Sequence, residues 1–140
     1  MNFESAVANA PDNCVLAPIH NDADLNAAAA EAGGSNQCWV GVYSLVSASD
    51  SGSVNGWWNL LDDSPVPAQV SLWMTGEPNN SGGGNAQTRA TINKSGQGKL
   101  RDVAPVDVFA CAVYSCCAAT QAPPTTTTTA ATTTSEFRMG

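Results

Sequence analysis

A Glu-Pro-Asn triplet, Glu77 to Asn79, lies between Trp73 and a glycine-rich run that ends at Gly84. Two side-chain oxygens held apart by a proline can serve a cation and a ligand together. Calcium takes six to eight oxygens at about 2.3–2.6 Å, and proline fixes the direction of the backbone between the two donors. The plain alternative is a turn. The other chemically equipped residues are five cysteines (Cys14, Cys38, Cys111, Cys116 and Cys117), the single His20 and the pair Asp62-Asp63. None of the cysteines has the C-x-x-C spacing of a zinc site. So many in so short a chain argue for an oxidising compartment, with two disulfides and one thiol left over as the simplest arithmetic. His20 has no Ser or Cys partner in a recognisable motif, and no phosphate loop is present, so no enzymatic activity is expected.

The elements that must position these residues are short. Phe3 to Ala10 reads as a helix stopping before Pro11, and Cys14 to Ile19 as a strand. LNAAAAEA, from Leu25, is a strong helical string that Asn21, Asp22 or Asp24 can cap and Gly33-Gly34 can end. From CWVGVYSLV at Cys38 the texture turns to strand, with GWWNLLDD and QVSLW as shorter apolar segments. TRATIN, KLRDV and VFACAVYS complete a small set of strands, and Thr75 to Gly84 has no periodicity and reads as loop. Helix, strand, helix and then strands is an α+β pattern.

Residues 1–117 are expected to form the domain. From Ala118 the chain becomes rich in threonine and proline, which cannot bury enough apolar surface to offset chain entropy. Residues 118–135 therefore read as a linker or stalk, and 136–140 as a tail, the start of a next segment or a cloning remnant. The net charge of −7, with five basic residues, argues against nucleic acid and anionic membrane surfaces. Arg89, Lys94, Lys99 and Arg101 cluster and read as a solvated hairpin face. There is no basic, apolar signal segment at the start and no membrane-spanning run. An extracellular place is expected, as a secreted protein or the ectodomain of a surface protein, with no direct membrane insertion.

These pieces, in order, resemble a C-type lectin-like domain: LAPIHN (Leu16–Asn21), CWVGV (Cys38–Val42), GWW with DDSPV (Gly56–Val66), WMTGEPNN (Trp73–Asn80), ATIN with GKLRDV (Ala90–Val103), and FAC (Phe109–Cys111). The resemblance implies a double-loop α+β fold with two helices and a small antiparallel β-sheet. It also implies a calcium-dependent carbohydrate site in which Glu77, Asn79, Gln87 and Asp102 are the metal ligands, and Glu77, Asn79 and Asp102 also hold the sugar. In the family the triplet's proline bond is typically cis, and EPN goes with mannose-type hydroxyl geometry. Trp39 and Trp73 match core positions, which leaves Trp57 or Trp58 for sugar stacking. His20 resembles a structural position, and Asp62-Asp63 reads as a turn pair rather than a second calcium position.

The sequence also departs from the family pattern. Arg101 stands where the family has an asparagine ligand, Leu100 replaces its tryptophan, and Gln87 offers a neutral oxygen in place of a carboxylate. Arginine has no acceptor and brings a positive charge. Arg101 is therefore expected to alter the site, pairing with Glu77 and Asp102 and holding the loop closed without calcium. Cys111 matches the family's last cysteine, with Cys14 the nearest partner, and Cys38 is left for Cys116 or Cys117. The family's inner pair is missing, and its N-terminal strand is expected to be absent, exposing an edge of the last strand. Asn79-Asn80-Ser81 and Asn93-Lys94-Ser95 are glycosylation sequons. The first is expected to be unoccupied where the site binds sugar. The function implied is carbohydrate recognition, calcium-dependent and mannose-type. The alternative is a calcium-independent module that recognises a protein or another surface.

Overall fold

The computed structural model describes residues 1–34, 36–44, 53–81, 86–117 and 135–139, the side chains of Cys117 and of 135–139 excepted. Helix α1 spans Phe3–Ala8, capped by the Asn2 side chain on the Ser5 amide. Strand β1 is Cys14–Leu16 and helix α2 is Asp22–Ala32. Of the three capping candidates it is Asn21 that accepts from the Asp24 amide, and Gly33, at φ 66°, ends the helix. Strands follow at Cys38–Ser44 (β2), Trp57–Asn59 (β3), Arg89–Ile92 (β4), Leu100–Val103 (β5), Cys111–Cys117 (β6) and Ser135–Met139 (β7). Val70–Leu72, in the QVSLW segment, forms a 3₁₀ turn.

The sheet runs β1-β6-β2-β4-β5, with β3 on β2 and β7 on β6. It is mixed rather than wholly antiparallel, because β2 and β6 run parallel through Cys38↔Cys111 and Trp39↔Ala112. Side chains alternate across a strand, and here both faces are covered. Cys38, Val40 and Val42 of β2 join Val113 of β6 and Leu25, Ala28 and Ala32 of α2 in one core. Trp39 joins Tyr114 and the α1 residues Phe3 and Ala6 in the other. The small side chains of α2 let its backbone lie close to the sheet. Gly41 marks another close approach: a Cβ there would meet the Leu16 carbonyl oxygen at 2.5 Å.

The disulfides join Cys14 to Cys116 and Cys38 to Cys111. All four expected cysteines are bonded, but in another pairing than the family's pattern implied. The register gives the reason: Cys14 lies opposite Cys116, and Cys38 opposite Cys111, on neighbouring strands. Ser135–Met139, read from the sequence as the end of a linker and a tail, pairs antiparallel with β6 from Cys117 to Val113. β6 thus carries β7 along one edge and β1 along the other, so the edge expected to be bare has its backbone groups paired. The stalk sequence, residues 118–134, lies outside the described residues.

Candidate functional site

Strand β5 is at the end of the sheet path, and the segment from Trp73 docks along its free side. Trp73 bridges Leu100, and the Met74 amide donates to the Leu100 carbonyl at 2.9 Å. Trp73 is buried against Trp57, with ring centroids 4.8 Å apart. Trp57 is therefore core, not a sugar platform, and only Trp58 of that pair stays half-exposed. The Glu77 amide donates back to the Met74 carbonyl, and the Glu77–Pro78 peptide is cis.

Asp102 fixes the loop that follows. The residue is 1% exposed, and its carboxylate accepts the Asn79 amide at 3.1 Å and the Asn80 amide at 2.6 Å. The Ser81 amide donates to Gln87 Oε1 at 2.6 Å and to Asn79 Oδ1 at 2.9 Å, while the Gln87 amide donates to Asn80 Oδ1 at 2.6 Å. Asn80 thus closes the loop across its base, a role the sequence reading passed over. The available signal was an asparagine in a turn-rich run, where such side chains bond nearby backbone. Gly82 to Gly84 lie outside the described residues.

Arg101 Nε donates to Glu77 Oε2 at 3.3 Å, with the Glu77 side chain 10% exposed. The expected bond from Arg101 to Asp102 is absent among the described residues. Successive residues of β5 point to opposite faces, and Asp102 is committed to the loop amides. Glu77 Oε1 is buried with no hydrogen-bond partner. Burial, then the neighbouring Asp102, pushes the Glu77 carboxyl up from an ordinary 4.5 to about 7, against the opposing effect of Arg101.

A raised carboxyl pKa means that the folded chain binds more protons than the unfolded one between these two values. This stability is fully present below pH 4.5 and is lost as pH rises through about 7. The slope can approach ~1.4 kcal/mol per pH unit, the limit for one proton. Glu77→Gln is expected to remove that slope in denaturation curves taken across the window. Equal slopes in both proteins would show that Glu77 ionises normally.

The donor set does not fit calcium as it is arranged. Glu77 Oε1 is unspent, but Oε2 holds Arg101, both Asp102 oxygens hold loop amides, and the Asn79 and Gln87 oxygens hold the Ser81 amide. Among the described residues no group of three or more His, Cys, Asp or Glu side chains could hold a metal ion.

The other candidates are structural. His20 sits between Asp24 at 3.0 Å and Asp62 at 3.1 Å, tying the start of α2 to the turn after β3. Asp62 accepts from the Ser64 amide and hydroxyl, and Asp63, at φ 57°, accepts from the Tyr43 hydroxyl, as a turn pair does. The expected solvated basic face is not one surface. Arg89 is half-buried, its guanidinium 4.8 Å from the Phe3 ring centroid and 5.9 Å from that of Tyr43. Lys99 Nζ donates to the Ser71 carbonyl at 2.7 Å.

Among solved structures, the chain is similar to the mouse scavenger receptor C-type lectin carbohydrate-recognition domain, with a TM-score of 0.58 over 77% of each chain. The sequence identity is 23%, which carries the fold and not the ligand. No protein-family model matches the sequence, and no curated protein matches it. The α+β element order, the two disulfides, the loop docked on β5 and this structural match establish that the chain has the C-type lectin-like fold.

Proposed function

We propose that this chain is an extracellular carbohydrate-recognition module that engages a mannose-type glycan through the Glu77–Asn79 loop, with Arg101 in the place of a resident calcium ion. The observation that carries the reading is a loop pinned by protein groups alone: Asp102 on two amides and Arg101 on Glu77. Asn79 stands exposed on that loop. Its Nδ2 and the two Nη groups of Arg101 make no hydrogen bond among the described residues, so these donors are unspent and would serve sugar hydroxyls. The EPN triplet supports mannose-type geometry by resemblance. Two disulfides fit an extracellular place.

A glycan array probed with the disulfide-bonded chain free of N-linked glycan, once in calcium and once in chelator, tests this. Mannose-type glycans are expected to be retained in both buffers, with at least a tenfold loss in Asn79→Ala. Binding of no glycan in either buffer would remove the reading. Protein recognition is the second reading, favoured by the apolar side chains of Leu61 and Val70, which are 48% and 71% exposed. A chelator-resistant protein partner that sugars do not displace would select it.

A further inference from the structure

The two sequons offer their asparagines to very different surroundings. Asn93 is 4% exposed and adopts the left-handed conformation at the end of β4. Its Nδ2 donates to the carbonyls of Gly33 at 3.1 Å and Gly34 at 2.9 Å, and its Oδ1 accepts the Gly98 amide at 2.9 Å. Every polar atom of that side chain is engaged, Nδ2 on the end of α2 and Oδ1 on the turn that leads to β5. A glycan on Nδ2 would take away one of its two N–H donors and force a bulky polar group into packed interior.

Asn79 is the reverse case. Both Asn79 and Ser81 are exposed, Asn80 between them is not proline, and Asn79 Oδ1 accepts the Ser81 amide at 2.9 Å. That bond folds the sequon's third residue back towards its first. It leaves Asn79 Nδ2 without a partner among the described residues, on a loop held from beneath by Asp102.

We propose that Asn79 is an N-glycosylation site, that Asn93 is not, and that a glycan on Asn79 shuts the carbohydrate site. The donor is an oligosaccharide carried on a polyprenyl diphosphate. Asn79 Nδ2 attacks the anomeric carbon, forming the C–N bond and losing one proton. The bond from that carbon to the diphosphate oxygen breaks, and its electron pair leaves with the diphosphate. No oxidation or reduction takes place. The product has a bulky polar chain on the atom that would otherwise donate to a bound sugar, so the bare and glycosylated forms of one chain differ in binding. The acceptor assignment stands apart from the sugar-binding reading, and only the shutting-off rests on it.

The test is the full chain secreted from a eukaryotic host, treated with peptide-N-glycosidase in heavy-oxygen water and mapped by mass spectrometry. The expected result is the heavy-oxygen Asn-to-Asp mark at Asn79 and an unmarked Asn93. Ser81→Ala should lose the oligosaccharide while keeping Asn79, whereas Ser95→Ala should leave the glycosylation pattern unchanged. An unmarked Asn79, or a marked Asn93, would overturn the assignment. On a mannose-type glycan surface, Ser81→Ala is expected to bind at least tenfold more than the glycosylated wild type. Equal binding of the two would overturn the shutting-off. Absence of binding by Ser81→Ala would instead remove the sugar-binding reading, while the mapped glycan stood.

Discussion

Arg101→Asn is expected to bind calcium at least tenfold more tightly than the wild-type chain when the ion is titrated calorimetrically into chelator-stripped protein, with magnesium as control. The substitution changes three things together. It removes a guanidinium that has no acceptor, releases Glu77 Oε2, and supplies an amide oxygen on β5. A unit charge ~6 Å from a divalent ion is repelled by about 5 kcal/mol at an effective dielectric of about 20. Arg101 is 24% exposed, so screening cuts that figure, yet even a third of it exceeds a factor of ten in affinity. Gln87 and Asp102 remain occupied with loop amides, which keeps the expected gain well short of a full oxygen cage. The same affinity in both proteins, or none in either, would show that Arg101 does not stand in the ion's place.

Asp102→Ala is expected to cost about 3 kcal/mol and to release the loop. Bonds to a charged acceptor contribute roughly 1.5–3 kcal/mol each, and the substitution leaves the Asn79 and Asn80 amides without their acceptor. Relief of the carboxylate beside Glu77 offsets part of this, because Asp102 helps to raise that group. Asp102→Asn keeps one acceptor oxygen and should lose about half as much. Denaturant titration measures the loss, and hydrogen exchange at the Asn79 and Asn80 amides reports the loop. Wild-type stability with undiminished protection of both amides would mean that Asp102 is not the anchor.

The two predictions share one cause. Along β5, Arg101 and Asp102 are adjacent in sequence yet face opposite sides of the strand, and the loop engages both, Asp102 through backbone amides and Arg101 through the Glu77 carboxylate. Glu77 lies where their influences meet, and its upward shift records the competition between burial beside Asp102 and the attraction of Arg101.

Much of the architecture was legible in the residues alone because it depends on local preferences. The alanine-rich run after Asn21 could hardly be anything but α2, and a β-branched and aromatic stretch such as CWVGVYS is suited to a strand covered on both faces. The EPN loop, its order between Trp73 and the β5 residues, and the arginine at position 101 were equally visible, since they are matters of identity and sequence. Pairings at long range were not. Spacing cannot choose partners among five cysteines, whereas sheet register places Cys14 opposite Cys116 and Cys38 opposite Cys111. Nor does an isolated string show that Trp57 packs beneath Trp73, or that Ser135–Met139 lies on β6. The fate of Asp102 was decided in the same way: its carboxylate suits a metal on chemical grounds, but the chain's own amides reach it first, because the loop closes over β5. Local residue types set what each segment can be, and only the packed chain fixes which oxygen, sulfur or amide stands within bonding distance of which.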